Sequence, residues 1–215
     1  FTGDFAGFAR NASGHLFAWG SLQNQGANDP GDLYGQVPTR LYNYPDLIKI
    51  DTSLNKRIGL AADGAVWTWG LVPAAVSGIT TAVDVSAGGG SDAFFLTALA
   101  DGTVRAWGKN ASGQLGDGTT TDSTIPVIVT GLSGIHKVFA FTPNPQYPNP
   151  LTPYSFSFAI QQSDGAVYGW GFNGQGQLGD GTTTNSLTPR AIPSLTSVTQ
   201  ITATPQGNFA LKNDG

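Results

Sequence analysis

Apolar residues along this chain come in short bursts separated by glycine-containing turns. Phe5 to Arg10 (FAGFAR) runs into Asn11, Ala12, Ser13 and Gly14, and then into His15 to Gly20 (HLFAWG). The same unit returns as IGLAADGAVWTWG, FFLTALADGTVRAWG and FAIQQSDGAVYGWG, and its first half closes the chain as FALKNDG. Two short apolar runs around Asp-Gly predict a β-hairpin, because glycine takes the positive φ of a tight turn. A third strand is expected after a proline at Thr39 to Leu41, Ala74 to Val76, Val127 to Val129 and Arg190 to Ile192, and a fourth at Leu47 to Asp51, Ala82 to Ser86, His136 to Ala140 and Val198 to Thr202. Nothing has helical periodicity. Four short strands per unit predict one antiparallel sheet per repeat, and radially repeated four-stranded sheets make a propeller.

The repeat can be counted. Asp101 to Pro126 and Asp164 to Pro189 match position for position, with partial relatives at Ser13 to Pro38 and Asp63 to Pro73. From the Gly of Trp-Gly to the proline is 18 residues in three copies (Gly20 to Pro38, Gly108 to Pro126, Gly171 to Pro189) and 3 in the fourth, Gly70 to Pro73. Constant elements with variable connections place the variation in loops outside a packed scaffold. The expectation is an all-β array of four repeats, at about 1–58, 59–94, 95–157 and 158–208, with 209–215 as the first strand of another. In every copy the tryptophan (Trp19, Trp69, Trp107, Trp170) is expected to wedge one sheet against its neighbour. Leu115 and Leu178 are expected to plug gaps between sheets. Stability then comes from stacked neighbours rather than from any single repeat.

Composition narrows the function. All 14 acids are Asp, and there is no Glu, Met or Cys, so strong helix formers are scarce and a disulfide framework or cysteine-ligated metal is excluded. Lacking even an initiator Met, the chain is expected to be a mature product or an excised piece. The net charge of −4 carries no basic stripe, so no nucleic-acid partner is expected, and no apolar run is long enough to insert in a membrane. Two histidines, His15 and His136, both lie in strand-like stretches. No nucleophile elbow, zinc helix or P-loop is present. The GDGTTTDS and GDGTTTNS loops (116–123 and 179–186) lack the alternating acids and distal Glu of an EF-hand. No catalytic residue, metal or cofactor is assigned.

The string DG-x-V-x-x-WG-x-N-x-x-GQLG-x-G, followed by proline and an aliphatic triplet, closely resembles the repeat of the regulator-of-chromosome-condensation family. The match is strong from Asp101 and Asp164 and partial from Ser13 and Asp63. The kelch repeat, with its Gly-Gly doublet, fits less well. The resemblance implies a β-propeller, typically of seven blades, of which this chain would supply a part. It also implies, by branch, nucleotide exchange on a small GTPase, light sensing through clustered tryptophans, or secreted bacterial inhibitors of β-lactamases. The Thr-rich loops look like the bacterial style. No motif carries exchange or photosensor residues onto this chain, and neither follows from a fold alone.

The function expected is therefore non-catalytic: a protein-interaction or structural repeat module, part of a larger secreted or cell-surface bacterial protein. A self-assembling filament or surface-layer component, and a regulator of a partner enzyme or GTPase, are the alternatives. The expected partner is a protein or glycan, with self-association through open propeller ends where an isolated arc would leave sheet faces bare. Binding is expected in the irregular loops. These are 142–154 (TPNPQYPNPLTPY), with Tyr147, Asn149 and Tyr154, and 28–44, with Tyr34 and Tyr42. Proline lowers the entropy lost on ordering such a loop, and Tyr supplies contact area with a polar tip.

Overall fold

The computed structural model describes residues 2–3, 6–13, 15–21, 34–40, 46–53, 56–69, 73–89, 93–142, 154–204 and 207–214. Every regular element among them is a strand, and no helix there is long and apolar enough to cross a membrane. The first sheet holds β1 (Thr2–Gly3), β2 (Ala6–Arg10), β3 (Leu16–Ser21) and β4 (Tyr34–Arg40), paired in that order. The second holds β5 (Leu47–Ser53), β6 (Lys56–Ala61), β7 (Val66–Trp69) and β8 (Pro73–Ala75). The third holds β9 (Ala82–Gly88), β10 (Phe94–Leu99), β11 (Val104–Gly108) and β12 (Ser123–Ile128). The fourth holds β13 (Ile135–Phe141), β14 (Phe156–Gln161), β15 (Val167–Gly171) and β16 (Ser186–Ala191), and a fifth pairs β17 (Val198–Thr204) with β18 (Gly207–Lys212).

The sheets are out of step with the sequence repeats. The strands from Leu47, Ala82, His136 and Val198 close each repeat in sequence, yet each pairs with the hairpin that follows it and opens the next sheet. Burial explains the cut. β12 and β16 are largely exposed outer edges, whereas β9 is almost wholly buried, and the opening strands β5, β9, β13 and β17 contact one another in series. The chain therefore leaves each sheet at its wet edge and re-enters beside the axis.

Both faces of an inner sheet are covered. Along β10, Phe94, Leu96 and Ala98 alternate with Phe95, Thr97 and Leu99, and all six are buried. That is why FFLTAL reads as a continuous apolar run. Phe94, Leu96 and Ala98 pack forward on Ile135, Val138, Ala140 and Trp170 of the fourth sheet. Phe95 and Leu99 pack backward with Trp107 on Ile58 and Leu60 of the second. Trp69 packs backward in the same way on Phe8, Leu16 and Ala18 of the first sheet. The fifth sheet continues the series, setting Val198 and Ile201 against Phe158, Ile160 and Leu178.

A polar ladder links the opening strands. Lys49 Nζ lies 2.6 Å from Asp84 Oδ1, and the other oxygen of Asp84 accepts from Val138 N at 3.0 Å. Ser86 Oγ and Ala87 N donate to Asp51 Oδ2, while Ala140 N donates to Ser86 Oγ. Lys137 Nζ reaches Thr199 O at 2.7 Å. Each opening strand also carries a bulge near its start, where Ile48, Val83, His136 and Thr199 are the residues without a cross-strand partner.

Antiparallel order sends the chain alternately to two ends of the stack. At the turn end lie the Asp-Gly hairpins and the crossovers between sheets, tied together by Ala82 N to Gly64 O, Ile135 N to Gly102 O and Val198 N to Gly165 O. Asp63, Asp101 and Asp164 each accept from the amide two residues on, and Gly64, Gly102 and Gly165 follow at φ of 84°, 79° and 67°. A Cβ at Gly165 would also stand 2.5 Å from Val198 N, so glycine is required twice over. At the opposite, loop end lie the C-terminal ends of the opening strands and the described loops that follow Trp107-Gly108 and Trp170-Gly171.

Candidate functional site

The loop end is dominated by two sister loops, residues 109–122 and 172–185, each built around one buried asparagine. Asn110 Oδ1 accepts from Leu115 N at 2.9 Å. Its Nδ2 lies within 3.1–3.3 Å of Asp117 Oδ1, the Thr119 carbonyl and hydroxyl, and Thr121 O. Asn173 repeats this with Leu178 N, Asp180, Thr182 and Thr184. The backbone N–H of each asparagine donates to the residue closing its loop, Asp122 or Asn185. A buried amide is tolerated only when so satisfied, and these loops are thereby held rigid from inside.

The carboxylates serve the same knots. Thr119 donates from its amide and hydroxyl to Asp117, and Thr182 does so to Asp180. Lys109 sits 2.9 Å from Asp122, which holds that carboxyl below its ordinary pKa. Burial pushes Asp180 upward, but hydrogen bonds from Thr182, Asn173 and Arg190 outweigh it and leave the group lowered. Among the described residues no three histidine or acidic side chains converge as metal ligands would. His15 N closes the turn on Asn11 Oδ1, and His136 occupies the bulge of β13.

Trp170 is fully buried, with Nε1 donating to Gln114 O at 2.8 Å across the sheet boundary. Trp69, Trp107, Leu115 and Leu178 are buried as well, whereas Trp19 is half-buried in the first sheet. Of the loop residues singled out above, Tyr147, Asn149 and Tyr42 lie outside the described residues. Tyr34 begins β4, paired with Ser21. Tyr154 is half-buried and stands edge-on to Phe172, with ring centroids 4.8 Å apart, so it rests on the start of the second sister loop. Nothing in the sequence alone gives a role to Asn110, Asn173 or the Gln114 carbonyl. The two asparagines were visible as repeated letters, but a backbone carbonyl leaves no letter.

The regulator of chromosome condensation (RCC1) repeat matches residues 101–141 and 164–211. The ultraviolet-B receptor UVR8 of Arabidopsis thaliana is 32% identical over 103 residues, which are 48% of this chain and 21% of that protein. The human E3 ubiquitin-protein ligase HERC2 is 32% identical over 203 residues, 86% of this chain and 4% of that one. Among solved structures, Prp20p of Saccharomyces cerevisiae superposes over 100% of this chain and 54% of its own, with a TM-score of 0.74 at 18% identity. Human WBSCR16 superposes over 99% and 56%, at 0.73 and 18%. The chain thus spans a small part of the curated relatives and just over half of these solved chains. With Trp-Gly strands wedged between consecutive four-stranded sheets, residues 101–141 and 164–211 match the RCC1 repeat, and the fold is that of the β-propellers the chain superposes on.

Proposed function

We propose that this chain is a non-catalytic protein-interaction module that presents its loop end to a partner. The observation that carries the reading is the contrast between the two ends. Near-identical Asp-Gly turns close one, while the other carries the two sister loops and the strand ends at Thr142 and Tyr154 that flank the connection whose sequence occurs in one repeat alone. A rigid scaffold that varies only at one end places recognition there. Prp20p, described together with its binding properties to Gsp1p and histones, lends support to a protein partner and to the second reading, regulation of a GTPase or enzyme. The secreted or cell-surface setting, and self-association, belong to the proposal; the first rests on composition and the second on the exposed Phe209 and Leu211 of β18. To test it, residues 143–153 are replaced by a short Gly-Ser linker and Tyr154 by Ala, and captured proteins are compared with those of a chain altered in the turns at 62–65 and 100–103. Loss of capture only with the loop-end changes is expected. Capture indifferent to them, or turnover in a hydrolase panel, overturns the proposal.

A further inference from the structure

The boundary between the second and third sheets lacks a part that the next boundary has. After Trp107-Gly108 the chain makes the 109–122 loop, which caps the fourth sheet. Gln114 O accepts from the Trp170 indole and from Ser157 Oγ, both at 2.8 Å, and Leu115 is buried in one cluster with Trp170. Gly118 N donates to Leu187 O. After Trp69, by contrast, Gly70, Leu71 and Val72 alone precede Pro73, which pairs directly with Trp69. So short a link cannot form such a cap. The difference is internal to the stack, since the second and third sheets each have their four strands.

The third sheet nonetheless carries the receiving positions. By register Trp107 corresponds to Trp170, Phe95 to Ser157, Thr124 to Leu187 and Ile125 to Thr188. Trp107 is only 6% exposed, yet its indole N–H meets no acceptor among the described residues. A buried donor ordinarily has a partner, and leaving one unmatched is costly. Phe95 replaces the second donor with a ring whose centroid lies 5.5 Å from that of Trp107. On the edge strand β12, Thr124 is exposed and Ile125 is 69% exposed. Scattered surface apolar residues need no explanation, but this one stands where the missing cap would pass, beside an unmatched indole.

We propose that the notch walled by Trp107, Phe95 and Ile125 is a docking site for a protein partner that inserts a leucine-glycine turn of the type Ser112–Gly116 (SGQLG). A backbone carbonyl of that turn accepts from Trp107 Nε1, as Gln114 O does from Trp170. Its leucine lies against Trp107. The glycine after it is required by closeness, because a Cβ at Gly116 would stand 2.7 Å from Trp170 Nε1. The residues that follow cover Ile125, as Gly118 approaches Thr188. The partner thus supplies in trans what the third sheet supplies to the fourth in cis. This inference rests on the loop end being the binding end.

A labelled peptide copying residues 108–123 tests it by fluorescence anisotropy with the purified chain. The peptide is cyclised head to tail, because Gly108 and Ser123 already face each other. Saturable binding is expected. A Leu115→Asp peptide should bind at least about tenfold more weakly. In the chain, Trp107→Phe keeps a ring but removes the N–H and should weaken binding about tenfold, while Ile125→Asp, at an exposed edge, should abolish it. The proposal is overturned if no saturable binding occurs, or if Ile125→Asp leaves affinity unchanged. It is also overturned if sedimentation shows a dimer that Ile125→Asp dissolves, which would give the notch to a second copy. Failure here, with capture still dependent on the loop-end changes, strikes the notch and leaves the wider reading of that end standing.

Discussion

The loops around Asn110 and Asn173 share their internal hydrogen bonds almost atom for atom, but they differ in what lies beyond them. The first is sealed by Trp170 and Leu187 of the following sheet; the second faces open space at its glycines. The repeat therefore encodes two separable things. Asn, Asp and Thr build a knot that needs no neighbour, whereas Leu, Gly and Trp make contacts that exist only when another sheet arrives.

The sharpest way to break this distinction is at the tryptophans. Trp170→Ala should cost about 3–5 kcal/mol, the range for deleting a fully buried indole, while the half-buried Trp19→Ala should cost markedly less. Denaturant unfolding measures both; equal losses would remove the role of the neighbouring sheet. Next come the knots. Asn110→Ala and Asn173→Ala should each cost about 2–3 kcal/mol, because several buried groups lose a partner at once. A large difference between the two would show that the knots depend on their neighbours after all. A finer probe compares Gly116→Ala with Gly179→Ala. Both positions have φ of 70°, so both variants bear the same backbone strain of about 1–2 kcal/mol, and only the first must also displace Trp170. Melting temperatures should fall further for Gly116→Ala.

The smallest effect is in acid. Asp122 and Asp180 have folded pKa values below the ordinary 3.8, so their contribution is complete above that value and is lost as pH falls through the lower, folded one. Stability should therefore decline below about pH 4. Asp122→Asn should flatten that decline slightly, and high salt should mask the change, because the Lys109 pair is half exposed.

Much of this architecture was legible in the letters. Asp-Gly between apolar bursts gave the hairpins, and the spacing of Trp-Gly to proline gave the period. Periodicity cannot say where one sheet stops: the strand from Leu47 closes a repeat in sequence but opens the next sheet. The ladder of Lys49, Asp84, Asp51 and Ser86 was invisible for a related reason: its members differ from copy to copy and meet only across sheets. In the irregular loops, Tyr and Pro are readable as residue types, but the support that Phe172 gives Tyr154 comes from another connection of the same sheet.

The bulges at Ile48, Val83, His136 and Thr199 have a practical corollary. Strand side chains alternate, so one residue gained or lost upstream would turn a whole strand inside out. An irregularity at the same place in four strands acts as a vernier that resets the alternation as the chain enters each blade. Length changes before that mark are thereby insulated from the core. Grafted peptides of arbitrary size should be accommodated in the crossovers far more readily than a single insertion inside β5, β9, β13 or β17 beyond the mark.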